Sequence, residues 1–457
     1  MAATVIRNTT IVTGGPGRTI LHDSAMAIED GRVAALGPWE EVGARFPGAE
    51  VVDGRGKAVL PGLINAHTHL LKTINRGVLE DTGFPTTLRF PEDTRALMGK
   101  EEDNVFALLG VIESIRSGAT SVLEIEKDIA NYAETLAATG MRMALAEYVE
   151  DVDMELVRKS EYRYLPAKAE EGMRKSADLI ERWHGRAEGR VTCMTSPSTP
   201  EYCSPDLLQE CRRTSDRYDV GMTVHLSESY DEVQAVMRTR GVRPTQYLYA
   251  NGALGPRVVA AHCRYLDASE VALMGQTRTN VSFNPAIAAR RGAAAPATEL
   301  DEAGCNMGMG SDNMDENMVH VLRTGLFAER VRQGTPMSPQ PEQMLEWATL
   351  GSARALGLGD EVGSLEVGKK ADLFMIDTLR PHLVPNHRIV SAFIHNGQAD
   401  DVEAVMVDGR WLMRDGKLLT IDEEDVVARA EEMGQALWRR LLERNPSVPF
   451  PFALPPR

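Results

Sequence analysis

Residues 61–69 read PGLINAHTH, a Pro-Gly turn followed by a short apolar run that closes on His67 and His69. Successive side chains of a strand alternate between its two faces, so histidines at i and i+2 point the same way and can converge on one ion. Seven more strand-length runs follow: ATSVLEI at 119–125, RMALAEYV at 142–149, RVTCMTS at 190–196, GMTVHLSE at 221–228, RVVAAHCRYL at 257–266, TNVSFNP at 279–285 and CNMGMGSDN at 305–313. The segments around them, such as 103–118 (DNVFALLGVIESIRSG) and 342–357 (EQMLEWATLGSARALG), carry helical periodicity. Strands alternating with helices imply a parallel sheet with helices outside. Eight of them over roughly 300 residues are what an α/β fold of the (β/α)8, TIM-like barrel type requires.

Both ends of the chain read differently. TVIRNTTIV at 4–12, AMAIEDGRVAALG at 25–37 and AEVVDGRGKAVL at 49–60 are β-rich, as are GSLEVGKKADLFMID at 363–377 and DVEAVMVDGRWLMRDGKLL at 401–419. Asp30-Gly31, Asp408-Gly409 and Asp415-Gly416 sit between alternating runs and signal hairpins. Each flank is small alone, which predicts one discontinuous β-sandwich made from both chain ends. The expected division is 1–60 and 360–420 for the sandwich, 61–359 for the barrel, and 421–457 for a C-terminal helix and tail. The tail, NPSVPFPFALPPR from Asn445, is too proline-rich for helix and reads as an extended arm.

Of 457 residues, 43% are hydrophobic and 25% charged, an ordinary globular balance that rules out a disordered or disulfide-stapled chain. Fifty Lys and Arg against 66 Asp and Glu leave a net charge of −16, which repels phosphate backbones and anionic lipid. Nucleic acid and membrane are therefore not expected as partners. No stretch reaches the ~18 apolar residues of a membrane span. Five cysteines form no CxxC pair, so a reducing cytoplasm is the expected location.

In such a barrel, catalytic groups sit at the C-terminal ends of strands. His67 and His69 close the first run, His225 and Glu228 the fifth, His262 the sixth and Asp312 the eighth. Each has a bland reading. With ten histidines, about 0.2 HxH pairs arise by chance. A lone histidine on an apolar strand is commonly a hydrogen-bonded core residue, and Asp312 in GSDN reads first as a turn or N-cap. Metal binding gains from their joint position at one end of strands 1, 5, 6 and 8, whereas His22, His184, His320, His382, His387 and His395 mostly fall in turns or polar stretches.

Taken together, PGLINAHTH, HLSE, AHCRYLD, GSDN and the closing GSLEVGKKADLFMID resemble the amidohydrolase superfamily over nearly the whole chain. The H-x-x-E at 225–228 and the AHC at 261–263 are similar to the branch holding methylthioadenosine/S-adenosylhomocysteine deaminases, guanine-type deaminases and s-triazine hydrolases. The resemblance implies one divalent metal per chain, held by His67, His69, His225 and Asp312, and hydrolysis at a ring carbon. Three imidazoles and a carboxylate suit zinc, with Fe2+ as second choice. Binuclear relatives use a bridging lysine at the end of strand 4; here 193–203 has none, which favours one metal, with Glu201 or Glu147 as a weaker alternative bridge.

Zinc lowers the pKa of a bound water to about 7, and Asp312 is expected to act as general base. Glu228 is expected to protonate the ring nitrogen beside the attacked carbon and then to pass a proton to the departing amine. His262 is expected to hydrogen-bond the attacking oxygen or the leaving group. The chain departs from the nucleoside deaminases of this branch in carrying Phe283 where they commonly have histidine, and in lacking a tryptophan over 70–90. Phe283 is expected as a stacking wall, Asn284 as a two-way hydrogen-bonding group, and Arg290 with Arg291 as an anion clamp or as surface charge.

The expected function is hydrolytic deamination of a small aminated N-heterocycle of purine, pyrimidine, pterin or triazine type. Dechlorination, N-dealkylation or cyclic-amide hydrolysis of a related ring is the alternative within the same chemistry, and an inactive metal-binding scaffold the alternative outside it. A homodimer or homotetramer is expected.

Overall fold

The computed structural model describes residues 3–15, 17–80 and 94–446. The N-terminal flank forms β1 (Thr4–Val12), β2 (Ile20–Glu29), β3 (Arg32–Gly37), β4 (Glu50–Asp53) and β5 (Lys57–Pro61). The barrel strands are β6 (Leu63–Thr68), β7 (Ala119–Glu126), β8 (Arg142–Val149), β9 (Val191–Pro197), β10 (Gly221–Leu226), β11 (Val258–His262), β12 (Asn280–Phe283) and β13 (Asn306–Met309). The C-terminal flank supplies β14 (Leu373–Asp377), β15 (Val402–Val407), β16 (Arg410–Arg414) and β17 (Lys417–Leu418).

Strands β6 to β13 pair in parallel in sequence order, with helices between them. The sheet closes where its first and last strands meet. Thr68 and Asp312 form a parallel bridge, in which His69 N donates to Asp312 O at 2.8 Å and Asp312 N to His67 O at 3.0 Å. All eight runs read from the sequence are barrel strands.

The two flanks join into a nine-stranded mixed sheet through β5, which pairs in parallel with β1 and antiparallel with β14. This is the discontinuous β-unit expected from the sequence. Its central strands are buried on both faces. Val59, Leu373, Met375, Ala404 and Met406 pack with Ile6, Ile11 and Met26, while Ala58, Leu60, Phe374, Ile376, Val405 and Val407 face the barrel core. Two-sided burial explains why these strands read as nearly continuous apolar runs. The three Asp-Gly turns have both residues at positive φ, the type I′ geometry that matches the twist of a hairpin.

Arg142, at the start of β8, ties the sheet to the barrel floor: Nε and Nη2 reach Asp372 at 2.9 and 3.1 Å, and Nη2 reaches Asp408 at 2.7 Å. The C-terminal helix Glu423–Arg444 packs on helix Lys100–Arg116, and Trp438 Nε1 donates to Ile74 O at 2.8 Å. Residues 447–457, most of the expected arm, and 81–90 of the segment noted for lacking tryptophan lie outside the described residues. Among the described residues no helix is long and apolar enough to cross a membrane.

Candidate metal and catalytic site

His67, His69, His225, Glu228, His262 and Asp312 come together at the mouth of the barrel, all buried. Ligand atoms of His67, His69 and His225 lie within 4.8 Å of one another, as do those of His67, His262 and Asp312 and those of His225, Glu228 and His262. The first set begins at the end of β6, where His67 and His69, two residues apart, bring their rings to the same place.

Two of the rings are oriented by carbonyls. His69 Nδ1 donates to Ile125 O at 2.5 Å and His225 Nδ1 donates to Ser198 O at 2.8 Å. A carbonyl only accepts, so each neutral ring carries its proton on Nδ1 and a lone pair on Nε2. Those two Nε2 atoms face each other at 3.3 Å. Two lone pairs at that distance repel unless a cation lies between them, and nitrogens bound to one tetrahedral zinc at about 2.0–2.1 Å are separated by about 3.3–3.4 Å.

The other ligands fit as well. Asp312 Oδ1 lies 3.8 Å from His67 Nε2 and 3.7 Å from His69 Nε2. Among the described residues His67 Nε2 and Asp312 Oδ2 are buried with no hydrogen-bond partner, which is costly in a folded protein and ordinary for metal ligands. Burial, then the neighbouring His225 and His69, holds His67 well below the usual imidazole pKa. Burial and then His69 push His225 down to about 4. Neutral imidazoles are the form a metal requires.

Glu228 sits beside this cluster. Ser227 N and Glu228 N each donate to the buried Glu232 carboxylate at 2.7 Å, which fixes the turn that presents Glu228. Its carboxylate receives Arg291 Nη1 at 2.5 Å and lies 3.7 Å from both Arg264 Nη1 and His262 Nε2. Burial raises its pKa, but Arg291 and Arg264 outweigh that and hold it below the ordinary carboxylate value. Asp312 moves the other way, raised by burial and then by Glu228.

The residues expected to touch substrate are placed differently from one another. Phe283 does not line the cleft: it is 2% exposed and packs outward against Trp347, ring centroids 6.1 Å apart. Parity is the reason, since Ser282 and Asn284 take the inward positions. Asn284 accepts from Ser282 Oγ at 2.8 Å, and its amide nitrogen donates to His262 Nδ1 at 3.2 Å, so it supports His262. Arg290 and Arg291 both line a cleft of about 490 Å³ with Glu80, Glu228, Tyr230 and Tyr265, and Arg290 is also paired with Asp315 at 2.6 Å.

Glu147 accepts Asp128 N and Ile129 N, and neither it nor Glu201 joins a metal cluster among the described residues. Sequence reading missed Arg264, which lies within AHCRYLD, and Glu232, four residues past Glu228. The only signal for either was proximity in sequence to a chemical residue.

A parallel barrel with three imidazoles and a carboxylate converging at the C-terminal strand ends defines a metal-dependent hydrolase. The chain belongs to the amidohydrolase family, whose profile matches residues 58–412. Residues 25–49 also match the bacterial imidazolonepropionase-like composite domain. The chain is 32% identical over 429 residues to the 5-methylthioadenosine/S-adenosylhomocysteine deaminase of Desulforudis audaxviator, covering 92% of this chain and 95% of that protein. It is likewise 32% identical over 420 residues to the 5'-deoxyadenosine deaminase of Methanothermobacter thermautotrophicus, covering 90% and 94%. Among solved structures, a zinc-bound adenosine deaminase from Xanthomonas campestris superposes with a TM-score of 0.88 at 26% identity, covering 95% of this chain and 98% of that one.

Proposed function

We propose that this enzyme deaminates a 6-aminopurine nucleoside or a close heterocyclic analogue, using one zinc ion held by His67, His69, His225 and Asp312. The facing Nε2 atoms of His69 and His225, 3.3 Å apart, carry the metal reading. The likeness to adenosine-type deaminases over 90–92% of the chain supports the substrate class.

A divalent ion held by these residues would supply a Lewis acid and make hydroxide available near pH 7. Asp312 takes the proton of the attacking water. Arg291 and Arg264 hold Glu228 ionised in the free site, so the proton that Glu228 hands to the ring nitrogen is one it collects within the site, originating from that water. Oxygen bonds to the ring carbon, its second proton passes through Glu228 to the amine, the exocyclic C–N bond breaks, and the amine leaves as ammonia with a carbonyl in its place. His262 donates a hydrogen bond to the oxygen that becomes this carbonyl.

The same residues would serve a different leaving group, so the test measures released ammonia and chloride over a panel. The panel holds 5'-methylthioadenosine, S-adenosylhomocysteine, 5'-deoxyadenosine, adenosine, guanine, cytosine, a pterin and a chlorotriazine. Ammonia from the adenosines is the expected result. Chloride release with no ammonia would transfer the site to dechlorination, and no turnover of any ring by zinc-loaded protein would leave the scaffold reading. Glu228→Gln is expected to lower kcat by about 10²–10⁴-fold with metal retained, the range for a lost proton donor. We further propose a cytoplasmic homo-oligomer without nucleic-acid or membrane partners, in keeping with the net charge of −16.

A further inference from the structure

Strand β11 ends in an uncommon backbone. His262 and Cys263 both adopt positive φ, at 74° and 54°, a conformation that costs non-glycine residues energy and is retained where function requires it. The hook is held by Cys263 N on Leu226 O at 2.9 Å and by Arg264 N on Ser227 O at 3.1 Å. Its effect is to fold the Arg264 side chain back onto His262. Arg264 Nη2 lies 3.2 Å from His262 Nδ1, and Nη1 lies 3.4 Å from Glu228 O. Both side chains are buried, Arg264 at 6% exposure and His262 at 1%.

An arginine has no hydrogen-bond acceptor and stays protonated. Its approach to Nδ1 therefore requires a lone pair there, which leaves the ring proton on Nε2. The Asn284 amide alone could not decide this, because it can be turned to offer oxygen instead of nitrogen. Arg264 removes that freedom, and the Ser282 hydroxyl on Asn284 Oδ1 agrees with it. Among the described residues His262 Nε2 has no hydrogen-bond partner, and it lies 3.7 Å from Glu228 Oε2.

We propose that Arg264 is a positioning residue that fixes His262 as an Nε2–H donor and excludes it from taking the proton of the attacking water. A base at Nε2 needs a lone pair there, and a ring protonated on both nitrogens would set a cation against the Arg264 guanidinium. Proton transfer is thereby left to Asp312 and Glu228. The inference deepens the hydrolytic reading of this site and rests on it for its role in turnover, whereas the tautomer itself is decided without substrate.

The test is nitrogen NMR of zinc-loaded enzyme with 15N-labelled histidine rings, His262 being assigned by loss of its signals in His262→Gln. The expected result is an unprotonated Nδ1 and a protonated Nε2. Arg264→Met should shift the ring toward the other tautomer and lower kcat on adenosine by about 10–100-fold, the usual effect of removing a partner that orients a site histidine, with KM changed less than about 2-fold. Arg264→Lys, which keeps a donor without an acceptor, should restore the wild-type ring signature and part of kcat.

A wild-type ring protonated on Nδ1, or bound to the ion through Nε2, overturns the proposal. So does an Arg264→Met enzyme whose tautomer changes while kcat stays within about 2-fold. If Arg264→Met does not fold, the wild-type spectrum alone decides. Absence of turnover on every heterocycle in the panel would refute the deaminase reading and leave this spectrum unaffected.

Discussion

Replacing Arg142 by Met tests how the β-sheet unit is fastened to the barrel. The side chains of Arg142 and Asp372 are each 2% exposed, and the guanidinium grips Asp372 through two nitrogens while also reaching Asp408. Asp408 keeps Lys370 at 3.4 Å and Arg190 at 3.7 Å after the change, but the Asp372 carboxylate keeps, among the described residues, the backbone N–H of Asp408 at 2.8 Å alone. Breaking a buried pair by removing one partner typically costs about 3–5 kcal/mol, because the remaining charge stays buried. At about 2.1 cal/mol/K per residue, unfolding all 457 residues releases about 1 kcal/mol/K, so Tm should fall by about 3–5 °C if the chain melts as one unit. If the β-unit expected over 1–60 and 360–420, roughly 120 residues, opened alone, the same loss would lower its own transition by about 12–20 °C. Calorimetry of wild type, Arg142→Met and Arg142→Met/Asp372→Asn separates these cases, and the double variant should recover at least half of the loss. Adenosine turnover at 25 °C should not change, since Arg142 lies at the opposite end of β8 from the metal ligands. A variant melting within about 1 °C of wild type, or one equally stable but inactive, would refute the reasoning.

Elemental analysis should find about one equivalent of divalent metal per chain, the expectation for a three-histidine, one-carboxylate site. Two tight equivalents, or metal kept by His67→Ala/His69→Ala, would contradict the ligand assignment. The buried Glu147 carboxyl is raised from 4.5 to about 7 by burial, against hydrogen bonds from Asp128 and Ile129. A pKa raised in the folded state means that its stabilising contribution is complete below pH 4.5 and is lost as pH rises through 7, by about 3 kcal/mol. Urea unfolding at pH 5 and pH 8 should therefore show a smaller decline with pH for Glu147→Gln than for wild type; equal declines would reject the assignment.

The fold was legible because strand-length runs and turn residues carry it locally. Asp30-Gly31, for instance, needs only two residues that tolerate positive φ to set its hairpin. The clustering of His67, His69, His225 and Asp312 was legible for a related reason: the barrel assigns chemistry to strand ends, and each of them stands at one. Side-chain direction in a short strand was harder. Strand β12 has four residues, and counting its parity one position off turns Phe283 inward and leaves Ser282 without a role. Asn284 was recognised as polar at the right place, but its partners are His262 and Ser282, and only the folded chain shows that its amide is already engaged. The helical periodicity of 342–357 gives no sign that the helix widens into a π-turn over Trp347–Gly351, where Gly351 O accepts from Asn306 Nδ2 at 2.9 Å. Such contacts join residues far apart in the chain, and periodicity does not encode them.

The closing seam of the barrel and the metal site are made from the same residues, which has a measurable consequence. His67 and His69 lie on one side of the seam and Asp312 on the other, and their backbones supply the hydrogen bonds that join β6 to β13. Behind them Glu316, fully buried, accepts through Oε2 from Asn65 Nδ2 at 3.2 Å, Thr68 Oγ1 at 2.6 Å and Ser311 Oγ at 2.7 Å, again from both sides. The ion would therefore bind across a seam that this carboxyl group holds in register. Glu316→Leu leaves three buried hydroxyl or amide donors without this acceptor, and the ligands on the two strands lose their common anchor. Loss of an outer partner of this kind typically weakens metal affinity about 10–100-fold, which competition against a zinc chelator would read directly. Glu316→Gln retains an acceptor oxygen and should fall between the leucine variant and wild type. A Glu316→Leu protein that folds and binds zinc within about 3-fold of wild type would mean that the backbone bridge alone sets the ligand geometry.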